Sequence, residues 1–139
     1  MNLLRLARLT GKTDYEAKAA QMLQIFSDSV SQAPGAHTDL KGALDFSLGP
    51  SYDVGIVGKR QNQDTKAMLN ALKSRVIPNK VVLLQPIEDE LPEIIRYVEF
   101  TKDLSSLGGK ATAYAYHNYQ CELPTTQKEE MLRSLDALT

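Results

Sequence analysis

Apolar positions recur at two different spacings along this chain, and the change falls near Gly49-Pro50. Before that point the spacing is helical. Leu3, Leu4, Leu6, Ala7 and Leu9 crowd into a short segment that Thr10-Gly11 ends, because glycine accepts the left-handed conformation that closes a helix. Thr13-Asp14-Tyr15-Glu16 reads as a capping box, with the Thr13 hydroxyl accepting an orphan backbone N–H and Glu16 reaching back. The helix it opens puts Ala19, Met22, Leu23, Phe26 and Val30 on one face and stops before Ala33-Pro34-Gly35. A third helix follows Thr38 or Asp39, with Leu40, Ala43, Leu44 and Leu48 directed inward.

The first of these helices is only about two turns long, and a helix that short is marginal on its own. Its leucines point nearly all the way round, and leucine on every side asks for burial on every side. Residues 1–50 are therefore expected to be the last helices of a larger helical domain. The alternatives are local packing and a homo-oligomer formed through the apolar helices of residues 1–48.

After Pro50 the pattern becomes that of strands. Tyr52-Asp53-Val54-Gly55-Ile56-Val57-Gly58 is a short β-branched run bounded by glycine. A helix over 64–75 places Ala67, Met68, Ala71 and Leu72 together, and Ile77-Pro78-Asn79 is a turn. Lys80-Val81-Val82-Leu83-Leu84-Gln85-Pro86 is continuously apolar, as a strand buried on both faces of a parallel sheet is. Leu91 to Val98 predicts a helix with Pro92 in its first turn, Leu107-Gly108-Gly109 a turn, and Ala111 to Tyr116 a strand of alternating small and tall side chains. Thr126-Gln127-Lys128-Glu129 is a second capping box, opening a last helix with Met131, Leu132, Leu135 and Leu138. The expected fold of residues 51–139 is a small α/β domain, with a three-stranded, mainly parallel sheet and flanking helices, preceded by the three helices of residues 1–50.

Composition narrows the class of function. Sixteen Lys and Arg stand against 17 Asp and Glu in 139 residues, a net charge of −1. Nucleic acid and acidic membrane surfaces both demand a basic excess, so neither is an expected partner. The single cysteine excludes an internal disulfide and multi-cysteine metal sites. His37 and His117 are too few to supply another, so no metal and no cofactor are expected. No stretch reaches the roughly 18 apolar residues of a membrane helix. The apolar, basic start lacks the small-residue cleavage site of a signal peptide, and the lone thiol agrees with a reducing cytoplasm.

In open α/β sheets, ligands bind beyond the carboxyl ends of the strands, and three segments are expected there. Gly58, Lys59 and Arg60 precede a helix N-terminus and form a candidate anion site, without the second glycine of a phosphate loop; a solvated polar loop is the plainer reading. Glu88-Asp89-Glu90 suits a helix start. Tyr116-His117-Asn118-Tyr119-Gln120-Cys121 carries a candidate catalytic pair. Cys121 just before a helix could become a nucleophilic thiolate, with His117 as its base if the loop folds back. Set against that, a lone cysteine behaves as a small hydrophobe. Six cations and one acid lie between Lys59 and Lys80, and six acids and two cations between Glu88 and Asp103, which implies two solvated faces of opposite sign.

Several segments in order along the chain carry a resemblance: Asn2-Leu3-Leu4-Arg5-Leu6-Ala7 with Leu9-Thr10-Gly11, Ala43-Leu44-Asp45-Phe46 with Leu48-Gly49-Pro50, Val54 with Ile56-Val57-Gly58, Pro78-Asn79-Lys80-Val81-Val82-Leu83-Leu84, and Thr112-Ala113-Tyr114 with Asn118, Cys121, Pro124 and Thr125. Together they resemble the C-terminal region of the spermatogenesis-associated protein 20 family. The resemblance implies a parent with a thioredoxin-like head, a six-hairpin α/α toroid of the glycosidase and epimerase type, and an α/β tail. Residues 1–50 would then close the toroid and residues 51–139 form the tail. Many members carry a second cysteine where this chain has Tyr116, so chemistry built on a cysteine pair does not transfer. The expected function is an accessory, structural module whose partner is the remainder of a parent polypeptide. The alternative is part of an enzyme using Cys121 and His117.

Overall fold

The helical segments of residues 1–50 are α1 (Asn2–Thr10), α2 (Thr13–Ile25), α3 (Ser27–Gln32) and α4 (Thr38–Leu48), with a 3-10 turn at Pro34–Ala36. A computed structural model describes residues 1–77, 79–88, 93–117 and 120–136 of the chain. It divides into two units, Met1–Pro50 and Ser51–Thr139, each with its own packing.

In the first unit, Gly11 closes α1 at φ 68°, its N–H bonded to the Ala7 carbonyl at 2.8 Å, as a glycine stop should. The expected capping box is absent: Thr13 is already helical, Lys12 is the N-cap, and no side chain caps the end. The expected stripe on α2 is interrupted at Phe26 (φ −93°, ψ 2°), where α2 ends and α3 begins. Ala19 is buried, but Met22 and Phe26 are 47 % and 42 % exposed, and Ile25 between them is 73 % exposed. On α4 the buried face runs through Ala43 and Phe46, three residues apart, so Leu44 and Leu48 point outward rather than inward. Phe46 is the largest buried side chain here. The Arg8 guanidinium lies 4.2 Å from its ring centroid and donates from Nη2 to its carbonyl at 2.9 Å, pinning α1 to α4. Leu4, Ala19 and Ala43 complete a thin core, beside an open apolar groove of about 220 Å³ lined by Leu3, Met22, Leu23 and Leu40 among others.

The second unit contains β1 (Tyr52–Gly58), α5 (Gln63–Ser74), β2 (Lys80–Pro86), β3 (Thr112–His117), β4 (Gln120–Cys121) and α6 (Lys128–Asp136). Its sheet has four strands in the order β2-β1-β3-β4. β1 and β2 are parallel, with Val54 opposite Val82; β3 runs antiparallel to β1, with Val54 opposite Ala115. The expected three-stranded, mainly parallel sheet is thus corrected to a four-stranded mixed one.

The physical reason lies between β2 and β3. A parallel strand needs a crossover that carries the chain back to its starting end. Here residues 93–96, 99–101 and 107–109 form 3-10 turns in place of a crossover helix, and the chain enters β3 from the end where it left β2. Leu91 and Pro92, at the start of the helix expected over 91–98, lie outside the described residues, as do Pro78, Asp89, Glu90, Asn118, Tyr119 and Leu138.

β1 is covered on both faces, but the expected two-sided burial of β2 is only partial: at the sheet edge it buries Val81 and Leu83 and leaves Val82 37 % exposed and Leu84 half-buried. On one face Tyr52, Val54, Ile56, Ala113 and Ala115 meet Met68 and Leu72 of α5 and Met131 and Leu135 of α6. The alanines are the small members of the alternation read in β3, and they leave room for the helices. On the other face Leu104 packs so tightly over Gly55 that a Cβ there would lie 3.1 Å from its Cδ1. The open ends of the helices are tied by side chains. Lys80 donates to the carbonyls of Leu72 and Arg75, and its desolvated amine is held below the ordinary lysine pKa. Arg75 pairs with Asp136, joining the end of α5 to that of α6. At the start of α6 it is Thr125, one residue before the expected capping threonine, that accepts from the Gln127 N–H at 3.0 Å and donates to Glu130 at 2.6 Å.

Candidate functional site

A β-strand directs alternate side chains to opposite faces, so the register decides which reactive groups meet. Tyr116 lies opposite Cys121, and His117 opposite Gln120. The Glu122 N–H bonds the Ala115 carbonyl at 2.8 Å, which leaves Tyr116 and Cys121 as the non-hydrogen-bonded pair between, the pair with the closer side chains. Across β1 the same row continues to Asp53, the partner of Tyr116. One cross-strand row therefore carries a carboxylate, a phenol and an exposed thiol. The Phe100 ring packs edge-on to Tyr116, centroids 5.3 Å apart. Burial first, and then the adjacent Cys121 sulfur, to which it is hydrogen-bonded, push the Tyr116 phenol up to about 12. It stays protonated and can donate at neutral pH.

His117 takes the other face. Its ring lies against Tyr52, centroids 5.2 Å apart and tilted by 30°. The two residues expected to act as nucleophile and base share one hairpin, but the pleat sends them to opposite sides of the sheet. Tyr116, which sequence reasoning did not place in a site, is the group beside Cys121, and Asp53 lies one strand further along the row. The signal was a register, and no local spacing encodes a register across three strands. His37, in the helical unit, is half-buried at the N-cap of α4.

The second candidate, Gly58-Lys59-Arg60, lies beyond the carboxyl end of β1 as expected. Gly58 serves packing here: a Cβ would meet the Thr65 Oγ1 at 2.5 Å and the Ala111 Cα at 3.2 Å, so the glycine lets α5 and β3 close on β1. The loop donors already face carboxylates of the chain. The Arg60 N–H donates to Glu88 at 2.9 Å. Asp64 accepts from the Thr65 N–H and, across to β3, from the Ala111 N–H, both at 2.8 Å. Both carboxyls are held below their ordinary values. The Ala111 N–H is the main cause for Asp64, and the Arg60 N–H for Glu88, with Arg60 and Lys59 adding a field. Several cations of the 59–80 run are likewise engaged: Lys66 donates to Gln61 at 2.8 Å, Arg75 pairs with Asp136, and Lys80 caps α5. Of the expected cationic face, these side chains at least are held by local partners, Lys66 and Arg75 at the surface. Among the described residues no group of three or more His, Cys, Asp or Glu could hold a metal ion, and no helix is long and apolar enough to cross a membrane.

Comparison with known proteins places this arrangement in a larger context. The chain is 34 % identical over 134 residues to spermatogenesis-associated protein 20 of Rattus norvegicus, equally so to that of Homo sapiens, and 31 % identical to that of Mus musculus. The match takes in 96 % of this chain but only 17 % of each relative, so the chain spans about a sixth of their length. It corresponds to their C-terminal region, the resemblance expected from the sequence. No family model and no solved structure matches the chain.

Proposed function

We propose that this chain works as a C-terminal accessory module of a larger multidomain protein, stabilising and completing that body rather than carrying its chemistry. The observation that carries the reading is the asymmetry of the match, nearly all of this chain against a sixth of its relatives. The helical unit supports it. Six large apolar side chains, Leu6, Met22, Ile25, Phe26, Leu44 and Leu48, are more than 40 % exposed there, and a thin core with apolar faces outward suits helices that pack on further helices. In this reading residues 1–50 are the closing helices of an α/α toroid, residues 51–139 are an α/β tail, and the parent carries a thioredoxin-like head and works in the cytoplasm. The test is deletion. Removing the corresponding C-terminal segment from the full-length human relative is expected to lower its thermal midpoint and its soluble yield. An unchanged midpoint and yield would contradict the proposal.

A further inference from the structure

The cover on the second face of the sheet is built unlike the rest of the α/β unit. Between the buried anchors Val98 and Thr101 and the start of β3, residues 102–107 contribute one side chain, Leu104, to the packing over Gly55. The described hydrogen bonds from this segment to the sheet all run through sheet side chains, with no ladder bond among them. The Tyr114 hydroxyl donates to the Ser105 carbonyl at 2.7 Å and accepts from the Ser105 N–H at 3.3 Å. Thr112 Oγ1 accepts from the Leu107 N–H at 2.8 Å, and Gln85 Nε2 reaches the Leu104 carbonyl at 3.5 Å.

Two further features favour release. Gly108 and Gly109 both have left-handed φ, 58° and 70°, with open space on the side where a Cβ would sit, so they form a joint that no side chain obstructs. Beneath the segment the Gln85 Oε1 is buried without a hydrogen-bond partner, a cost of the closed state that water relieves on opening.

We infer that residues 102–107 form a lid, fixed to the buried Thr101 at one end and jointed at Gly108-Gly109 at the other, which moves off the sheet face as one piece while the sheet stays folded. Opening uncovers Gln85 and Thr112 toward the carboxyl ends of the parallel strands, and Gly55 and Tyr114 on the middle of the same sheet face. Side-chain hydrogen bonds and Leu104 are among the contacts that hold the lid closed, and the open state is a minor conformer reached by breaking them together.

Hydrogen exchange on the 139-residue chain, read amide by amide, tests this. The Ser105 and Leu107 amides are protected by sheet side chains alone, whereas β1 amides are protected by the ladder. Both lid amides are expected to exchange at least tenfold faster than those of Val54 and Ile56. Tyr114→Phe, which removes contacts of Ser105 only, is expected to speed exchange at Leu107 as well, by about tenfold, and to leave Val54 and Ile56 unchanged. Thr112→Val, which releases Leu107 directly, gives the reciprocal effect at Ser105. Lid amides that exchange at the β1 rate, or variants that affect only the amide whose own partner is lost, would overturn the lid.

Discussion

The helical unit and the α/β unit are built from similar amounts of leucine, methionine and alanine, yet they use them differently. Among the described residues the helical unit buries four apolar side chains, Leu4, Ala19, Ala43 and Phe46, while the α/β unit buries sixteen. The difference is one of geometry. A sheet offers two faces, and each strand presents apolar residues to both when both are covered. Four short helices offer stripes, and a stripe is buried only where another element lies against it. β1 has such cover on each side; α2 has it only at Ala19 and, partly, at Leu23 and Tyr15. Apolar content alone therefore says little about stability; the number of elements available to cover each face decides it.

Substitutions in each unit probe how far its core depends on the cover around it. The largest effect is expected at Phe46, the only large side chain fully buried in the helical unit. Phe46→Ala should cost about 4 kcal/mol there and abolish the unit's helical circular dichroism, with the α/β unit still folded. Equal loss of both units would show that they do not differ as described. Met131→Ala, in the well-covered core of the α/β unit, should cost about 3 kcal/mol by denaturant midpoint and leave that unit folded, because many neighbours remain.

Asp64→Ala removes the tie between α5 and β3 and should cost about 1 kcal/mol at neutral pH. The Asp64 pKa is lowered in the folded state. Its contribution is therefore complete above the ordinary aspartate value and lost as the pH falls through the lower native one. Glu88 acts in the same sense. The cost of Asp64→Ala should shrink toward zero in strong acid; a cost that grows on acidification would contradict the bonding assigned to it. The smallest effects belong to outward residues of the helical unit. Ile25→Ser and Leu48→Ser should each shift stability by less than about 0.5 kcal/mol in this chain, since neither is covered here.

Much of this was legible in residue order, and the failures share a cause. The period change near Pro50, the glycine stop at Gly11, the strand positions of 52–58 and 80–86, and the small-tall alternation of β3 are local signals, and the structure displays each. What local pattern could not convey was long-range. The turns that precede β3 lie over the sheet because Leu104 fits Gly55, 49 positions earlier in the chain, and Tyr114 reaches Ser105. The direction of β3 follows from that path. The Cys121 and His117 pairing foundered on strand parity, since a difference of one residue in register moves a side chain to the other face. Glu88 read as an ordinary helix-start acid until the fold set it on the Arg60 amide.

The proposed function requires the exposed apolar faces of the helical unit to be covered by the rest of a longer polypeptide. It is tested most directly by amide hydrogen exchange over residues 1–50, measured in this chain and over the corresponding segment of the full-length human relative. The account predicts weak protection of α1, α2 and α4 in the chain alone and protection at least a hundredfold stronger in the full-length protein. Equal protection in the two would contradict it.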